Sequence, residues 1–378
     1  MKFVLAPDSF KESMSASVAV EAMRRGIHAV RPDAECVGVP MADGGEGTVD
    51  AVVDALDGQR ITVELQDPLG RPTEATFGYV AHRKLAVIEI AAAAGLELVA
   101  PNERDVLRAS SSGVGQLIAN ALDRGATEFL IGLGGSATND AGVGMLVALG
   151  AKFLDASGRP VAPGGAGLKD LDRIVLDGLD PRLCDVHIRV ACDVNAPLLG
   201  PTGASAVFGP QKGATAADVE LLDAALSRLV SVTEATLGHA RHDTPGAGAA
   251  GGLGFAFFEF LGAESKPGVE VVAETVGLER AVRGADWVFT GEGGVDAQTM
   301  LGKTPFGVAQ LASRQGAHVV IFGGRVAPDA TVLLDHGVDR LVAITPDGTP
   351  IDEALRRGPQ ALEQAAAEFV RELIGTAT

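Results

Sequence analysis

Hydrophobic and polar positions follow one another along this chain in two textures. Near the N-terminus "KFVLA" is a short continuous apolar run, the pattern of a buried strand, and Val20, Met23, Ile27 and Val30 then recur on one helical face. Ser15 is placed to cap that helix, and Arg31-Pro32 to end it. "ECVGVP" predicts a second strand and "MADGGEG" its exit loop. Val49, Val52, Val53 and Leu56 predict a second helix. Strand and helix alternating in this way predict a parallel sheet with right-handed crossovers.

After Gly58 the texture changes. "RITVELQDPLGRPTEATFGYV" and "KLAVIEI" alternate or run as strands around a "DPLGRP" turn, which predicts antiparallel hairpins. "SSGVGQLIANALDRG" predicts a helix closed by Gly125, "EFLIGL" a strand that empties into "GGSATNDAG", and "HIRVACDV" a further strand. Residues 216–237 predict one long helix. The first texture then returns with the strands "DWVFTGEGG", "HVVIFGG" and "DRLVAIT" and a closing helix over residues 352–374. The expected fold is α/β with two domains. One is Rossmann-like, a parallel sheet built from both chain ends over residues 1–60 and 282–378; the other, residues 61–281, is an inserted mixed-sheet domain. "HDTPGAGAAGGLG" is the expected flexible or closely packed joint near the return.

Composition narrows the class. A chain of 378 residues, 47% of them hydrophobic, can bury a large core and divides into about two domains by size. A net charge of −18 and an aromatic content of 4% argue against nucleic acid and anionic membranes as partners. A small molecule is the expected ligand. Cys36, Cys184 and Cys192 have neither the even number of a disulfide framework nor C-x-x-C spacing, which suits core thiols in a reducing cytoplasm. "MKFVLAPDSF" is too short in apolar residues for a signal peptide, and no run approaches the ~20 of a membrane span. A cytoplasmic location is expected.

Ligands of an open parallel sheet bind outside the carboxyl ends of its strands. Here those ends carry Asp8, Ser9 and Lys11, then Asp43, Gly44, Gly45 and Glu46, then Glu292 and Asp296, then Gly323 and Gly324. Each loop alone reads as an ordinary turn. Together they predict one acidic, glycine-rich rim with a lysine in it.

The stretch Gly134 to Gly142 allows two readings. Its glycines Gly134 and Gly135, the hydroxyls of Ser136 and Thr138, and Asn139 ahead of a helix start suit an anion such as phosphate. The same residues also suit a capped helix start, with Asn139 or Asp140 as the cap. "GPQKG" and "GKTPFG" each set a lysine, Lys212 and Lys303, among glycines, and the chain has only eight lysines among its 31 basic residues. "GKT" lacks the earlier glycine of a P-loop, since position 297 is Ala297. "GAGAAG" matches G-x-G-x-x-G but follows no strand. The seven His residues show no metal spacing, and no G-x-S-x-G is present. Acids, lysines, glycine loops and hydroxyls remain, the equipment of phosphoryl transfer with oxygen-ligated magnesium.

Six stretches carry a resemblance: "APDSFKESMSA" at 6–16, "PMADGGEGT" at 40–48, "IGLGGSATNDAG" at 131–142, "ACDVNAPLLGPTGASAVFGPQKG" at 191–213, "PGAGAAGGLG" at 245–254 and "TGEGGVDAQTMLGKTPFGVA" at 290–309. In order and over nearly the whole chain, they resemble the bacterial type-1, ATP-dependent D-glycerate kinases. The resemblance implies phosphorylation of D-glycerate by ATP, usually at the 2-hydroxyl, in glycerate, glyoxylate or sugar-acid catabolism, with the site in a cleft between two α/β domains. It leaves a homodimer open. The family usually has Gly-Glu-Gly-Arg before an aliphatic residue and Asp, whereas this chain has Gly294 in the arginine's place.

On this reading Asp193 or Asp296 orients and deprotonates the glycerate hydroxyl, and the sequence does not choose between them. Lys11, Lys212 and Lys303 neutralise phosphate and the glycerate carboxylate. Asp8, Ser9 and the 134–140 loop, with Ser136, Thr138 and Asn139, hold substrate or phosphate. Asp43 and Glu46 are the expected magnesium ligands. The alternatives are a glycerate 3-kinase yielding 3-phosphoglycerate, a nicotinamide-dependent hydroxyacid dehydrogenase suggested by "GAGAAG", and a non-catalytic binding module.

Overall fold

The computed structural model describes residues 1–375 and divides them into two compact units: Met1–Gly58 together with the chain from Pro267 onward, and Gln59–Lys266. Both are α/β. In chain order the strands are β1 (Lys2–Leu5), β2 (Glu35–Gly38), β3 (Gln59–Gln66), β4 (Pro72–Val80), β5 (Leu85–Glu89), β6 (Glu128–Gly132) and β7 (Lys152–Asp155). They continue as β8 (Leu171–Val175), β9 (His187–Ala191), β10 (Glu264–Lys266), β11 (Trp287–Val295), β12 (His318–Val326) and β13 (Arg340–Ala343).

The first unit is built on a parallel sheet of order β13-β12-β11-β1-β2, to which both ends of the chain contribute. Its strands are the continuous apolar runs of the sequence, and Phe3, Leu5, Phe289 and Phe322 are wholly buried in the core they form. Burying a side chain of this size contributes roughly 1.5–3 kcal/mol, so this aromatic group holds the sheet centre together. Phe289 packs edge-on against Phe3, with ring centroids 5.3 Å apart. The helix Ala16–His28 is capped by Ser15, whose hydroxyl accepts from Val18 N. It lies against the closing helix Ile351–Gly375, and at Gly26 a Cβ would come within 2.3 Å of the Glu363 carbonyl, so only glycine permits that approach. Pro359 inside the closing helix has no N–H to give the Leu355 carbonyl. The Ser13 hydroxyl donates to that carbonyl instead, at 2.7 Å, tying the loop after β1 to the helix.

The second unit carries a mixed sheet of order β10-β9-β6-β5-β4-β3 and a separate β7-β8 hairpin. β3 and β4 pair antiparallel from Gln59↔Tyr79 to Gln66↔Pro72, while β5, β6, β9 and β10 run parallel. The "DPLGRP" turn is stabilised by buried Asp67, which accepts from Leu69 N, Arg71 N and Arg71 Nε. The long helix over residues 216–237 forms as expected, with a capping box at Thr215 and Asp218.

Two expectations change. The chain passes back into the first unit at Pro267, ahead of residue 282, because the helix Gly268–Val276 packs against the helices Thr48–Ala55 and Thr304–Arg314 of that unit. The stretch at 245–254 is no joint. It enters the helix Ala249–Phe260 within the second unit, and Gly251, at φ +69°, lies so close to the 134–142 loop that a Cβ would meet Thr138 O at 1.9 Å. Among the described residues no helix is long and apolar enough to cross a membrane.

Candidate active site

In the first unit β1 lies between β2 and β11, so the strand order reverses at the β1–β11 pair. A crevice opens outside the carboxyl ends of the strands at such a reversal, because the loops leave it in opposite directions. The structure has a cavity of about 790 Å³ there. Asp8, Ser9 and Lys11 from the loop after β1, Asp43 from the loop after β2, Glu292 and Asp296 from the end of β11 and its exit, and Lys303 all line it. Of the predicted rim, Asp8, Ser9, Lys11, Asp43, Glu292, Asp296 and Gly324 line this one cavity, whereas Gly44, Gly45, Gly323 and the exposed Glu46 are not part of its lining.

Local structure fixes each of these groups. The turn from Phe10 to Met14 closes on itself through Phe10 N and Met14 O, leaving Lys11 exposed at the cavity. Asp8 is the most perturbed carboxyl of the rim. Burial, with the Asp43 and Glu292 carboxylates beside it, pushes its pKa up to about 7, even though the Thr304 hydroxyl at 2.5 Å and the Ser9 amide donate to it. Thr304 opens the helix Thr304–Arg314, and Lys303 stands at its N-cap. The Lys303 ammonium lies 3.4 Å from Glu292 Oε2, and Thr299 Oγ1 donates to Glu292 Oε1 at 2.9 Å. Burial nevertheless raises the Glu292 pKa. Asp296 is half-buried and caps the turn Ala297–Met300, its Oδ1 accepting from Gln298 N at 2.9 Å and its Oδ2 not engaged by that bond.

The other predicted site residues are in the second unit. Lys212 is 2% exposed and is no surface cation. Its ammonium donates to Ser136 Oγ at 2.8 Å and to Thr138 O at 2.7 Å, which tethers the 134–140 loop from within. Burial lowers its pKa to about 7. Asn139 donates to Ser205 Oγ at 2.9 Å. Gly134 and Gly135 are the exposed part of the loop, and Asp193 is exposed just beyond β9.

The loop's helix, Val143–Ala148, does not offer its N-terminus to a ligand. Asp140, buried, accepts from Gly142 N and Gly144 N and also from Ser111 N and Ser111 Oγ, while Met145 N donates to Ser111. A carboxylate of the chain already occupies that helix end, so the capped-start reading of the stretch holds for Asp140.

Sequence reasoning missed Thr304, Arg325 and the loop at 344–349, all of which touch the site or line the cavity. The strand "HVVIFGG" pointed to an exit at Gly323 and Gly324. The strand itself continues to Val326 and carries Arg325 to the cavity.

Comparison with known proteins places the chain in a family. A profile of the glycerate kinase family matches residues 3–374. The chain belongs to the glycerate kinase family. It is 47% identical over 369 residues to a glycerate kinase of Bacillus subtilis (strain 168), covering 98% of this chain and 97% of that one. To a protein of Escherichia coli (strain K12) named glycerate 2-kinase it is also 47% identical, covering 94% and 93% of the two chains. A crystal structure from Salmonella typhimurium LT2, of a candidate glycerate kinase 2, superposes with a TM-score of 0.93 at 44% identity, covering 100% of this chain and 99% of that one. A glycerate kinase passes a phosphoryl group to an alcohol, chemistry that calls on cationic side chains and carboxylates.

Proposed function

We propose that this enzyme transfers the γ-phosphoryl group of ATP to the 2-hydroxyl of D-glycerate, giving 2-phosphoglycerate, with the chemistry run at the carboxyl-end rim of the parallel sheet. The observation that carries the reading is the convergence of Asp8, Asp43, Glu292, Asp296, Lys11 and Lys303 on one cavity at the strand-order reversal, in a chain of this family. The name of the Escherichia coli relative supports the 2-position.

Magnesium fits the residues present. Asp8 is crowded by two like charges, an energetic strain that a cation relieves, and the donor set is all oxygen, as a hard ion requires. Among the described residues no three acidic, His or Cys side chains are placed to hold a metal by themselves. This agrees with a magnesium ion that takes one or two carboxylates and completes its shell with water and phosphate. Asp8 and Asp43 would hold it, in place of the pair Asp43 and Glu46. When bound, the ion would neutralise charge on the phosphate oxygens.

The chain's own groups supply the rest. Lys11, Lys303 and Arg325, all in the cavity lining, offer positive charge to phosphate. Asp296, half-buried and held by its cap, is the base of choice for the glycerate hydroxyl, with Asp193 of the second unit as the other candidate. The exposed Gly134 and Gly135 backbone offers amides to an anion, held in place from behind by Lys212. An ATP-dependent metabolic enzyme with three free cysteines fits the cytoplasm. ATP turnover that depends on added D-glycerate, with no saturable nicotinamide fluorescence change on titration, separates the kinase from a dehydrogenase. The opposite pattern contradicts it.

A further inference from the structure

The cavity is much larger than its charged rim requires. A three-carbon acid cannot fill about 790 Å³, a volume in the range of pockets that enclose drug-sized ligands. Beyond Lys303 and Arg325 the lining changes character, becoming the loop after β13 and the first turns of the closing helix. Ile344, Pro346, Ile351, Ala354 and Leu355 give this second end an aliphatic wall, beside Thr345, Asp347 and Thr349 of the same loop. Ile351 is 69% exposed at the very start of its helix, where a large aliphatic side chain buries little against its own fold. Ile344, by contrast, is 7% exposed and fixed by its amide, which donates to Gly323 O at 2.9 Å.

The loop between them is already built. Thr349 donates from both its amide and its hydroxyl to Pro346 O, and Gly348 takes φ +80° so that the chain can fold back. A second hollow of about 280 Å³ lies along the same loop. The cations of this cavity, Lys11, Lys303 and Arg325, thus belong to one part of its lining, and the 344–355 part supplies aliphatic side chains with Thr345, Asp347 and Thr349. A nucleoside triphosphate has that polarity along its length, and glycerate, with a carboxylate and two hydroxyls on three carbons, does not.

Resting on the reading of the enzyme as an ATP-dependent kinase, we infer that the purine nucleoside of the donor binds between the 344–349 loop and the helix face of Ile351, Ala354 and Leu355. Its phosphates then run toward Arg325, Lys303 and Lys11. The acceptor takes no part of this end.

Two variants of the full chain test it. Ala354→Trp fills the apolar end from a half-buried helical position, and Ile351→Asn changes a side chain that contributes little to the fold. Binding is read by calorimetric titration with magnesium and the non-hydrolysable analogue AMP-PNP, and separately with tripolyphosphate, which has phosphates and no nucleoside. Both variants are expected to weaken AMP-PNP by roughly tenfold or more, the scale on which an apolar pocket distinguishes small changes in fit. Tripolyphosphate binding, and the KM for D-glycerate at saturating ATP, should stay within about twofold of wild type, since a charged end that is intact keeps its ligands. Wild-type AMP-PNP affinity in Ile351→Asn and in a folded Ala354→Trp overturns the subsite while leaving the kinase reading intact. A raised KM for D-glycerate with unchanged AMP-PNP affinity also overturns it, by placing the acceptor there. Failure of the wild-type protein to bind AMP-PNP at all overturns the ATP reading itself, and the subsite with it.

Discussion

Gly294 on β11 and Arg325 on β12 are direct partners in the parallel ladder, so their side-chain positions share one face of the sheet about 4.8 Å apart. The place where related sequences carry an arginine, by the resemblance noted above, therefore has an arginine beside it. Gly294 is not in the left-handed region, and a Cβ there would meet nothing within 4 Å. Backbone strain is thus no obstacle to a side chain at 294.

Gly294→Arg should fold normally and change kcat/KM for ATP by less than about threefold, because Arg325 already supplies the charge at that face. Arg325→Ala should lower kcat/KM for ATP by about tenfold or more, as the loss of a charge-assisted phosphate contact does. Combining the two substitutions should restore most of the loss. Steady-state kinetics at varied ATP check all three, and a tenfold gain in Gly294→Arg alone would show that Arg325 does not compensate.

Asp296→Asn and Asp193→Asn should separate the base from the bystander. Loss of a base or positioning carboxylate costs about 10²–10⁴ in kcat, and Asp296→Asn is expected to show that loss. The Asn amide oxygen can still accept from Gln298 N, so the cap survives and the thermal midpoint should hold. Near-wild-type kcat in both variants would exclude both residues as the base.

Lys212 gives the fold a pH dependence of its own. Its pKa falls from the ordinary 10.5 to about 7 in the folded chain, so between those values the unfolded chain holds a proton that the folded one lacks. Stability contributed by this group is therefore lowest below about pH 7 and rises with pH through that window. The difference in unfolding free energy between wild type and Lys212→Met, taken from denaturant curves at about pH 7 and about pH 9.5, should shift in favour of wild type at the higher pH. A difference that stays constant would mean that Lys212 remains charged in its buried position.

Much of the architecture is legible in the sequence because its signals are local. The run "KFVLA", the Ser15 cap and the 216–237 periodicity each declare an element without reference to the rest of the chain. β10 is three residues of an edge strand, two of them exposed, and has no hydrophobic pattern to read. The rim, too, was legible, since strand exits gather at one edge of any parallel sheet. Its finer pairings were not. That Arg325 faces Gly294 depends on sheet order, and that Asp140 caps a helix start together with Ser111 depends on packing between segments 29 residues apart. The burial of Lys212 depends likewise on a loop 74 residues away. "GPQKG" looks like a solvated turn until that loop closes over it.

Chelation should abolish activity. Asp8 and Asp43 line the same cavity as Lys11, Lys303 and Arg325, and with these two carboxylates as the proposed magnesium ligands ATP turnover should fall to background in excess EDTA and return with added magnesium. Full turnover in EDTA would remove the metal from the account.

The most direct measurement is the product itself. Purified enzyme incubated with ATP, magnesium and D-glycerate, followed by phosphorus NMR, should show a phosphomonoester on the secondary 2-carbon, 2-phosphoglycerate, appearing in step with ADP. A signal from 3-phosphoglycerate would contradict the assigned position of transfer, and the absence of any phosphoglycerate would contradict the kinase account as a whole.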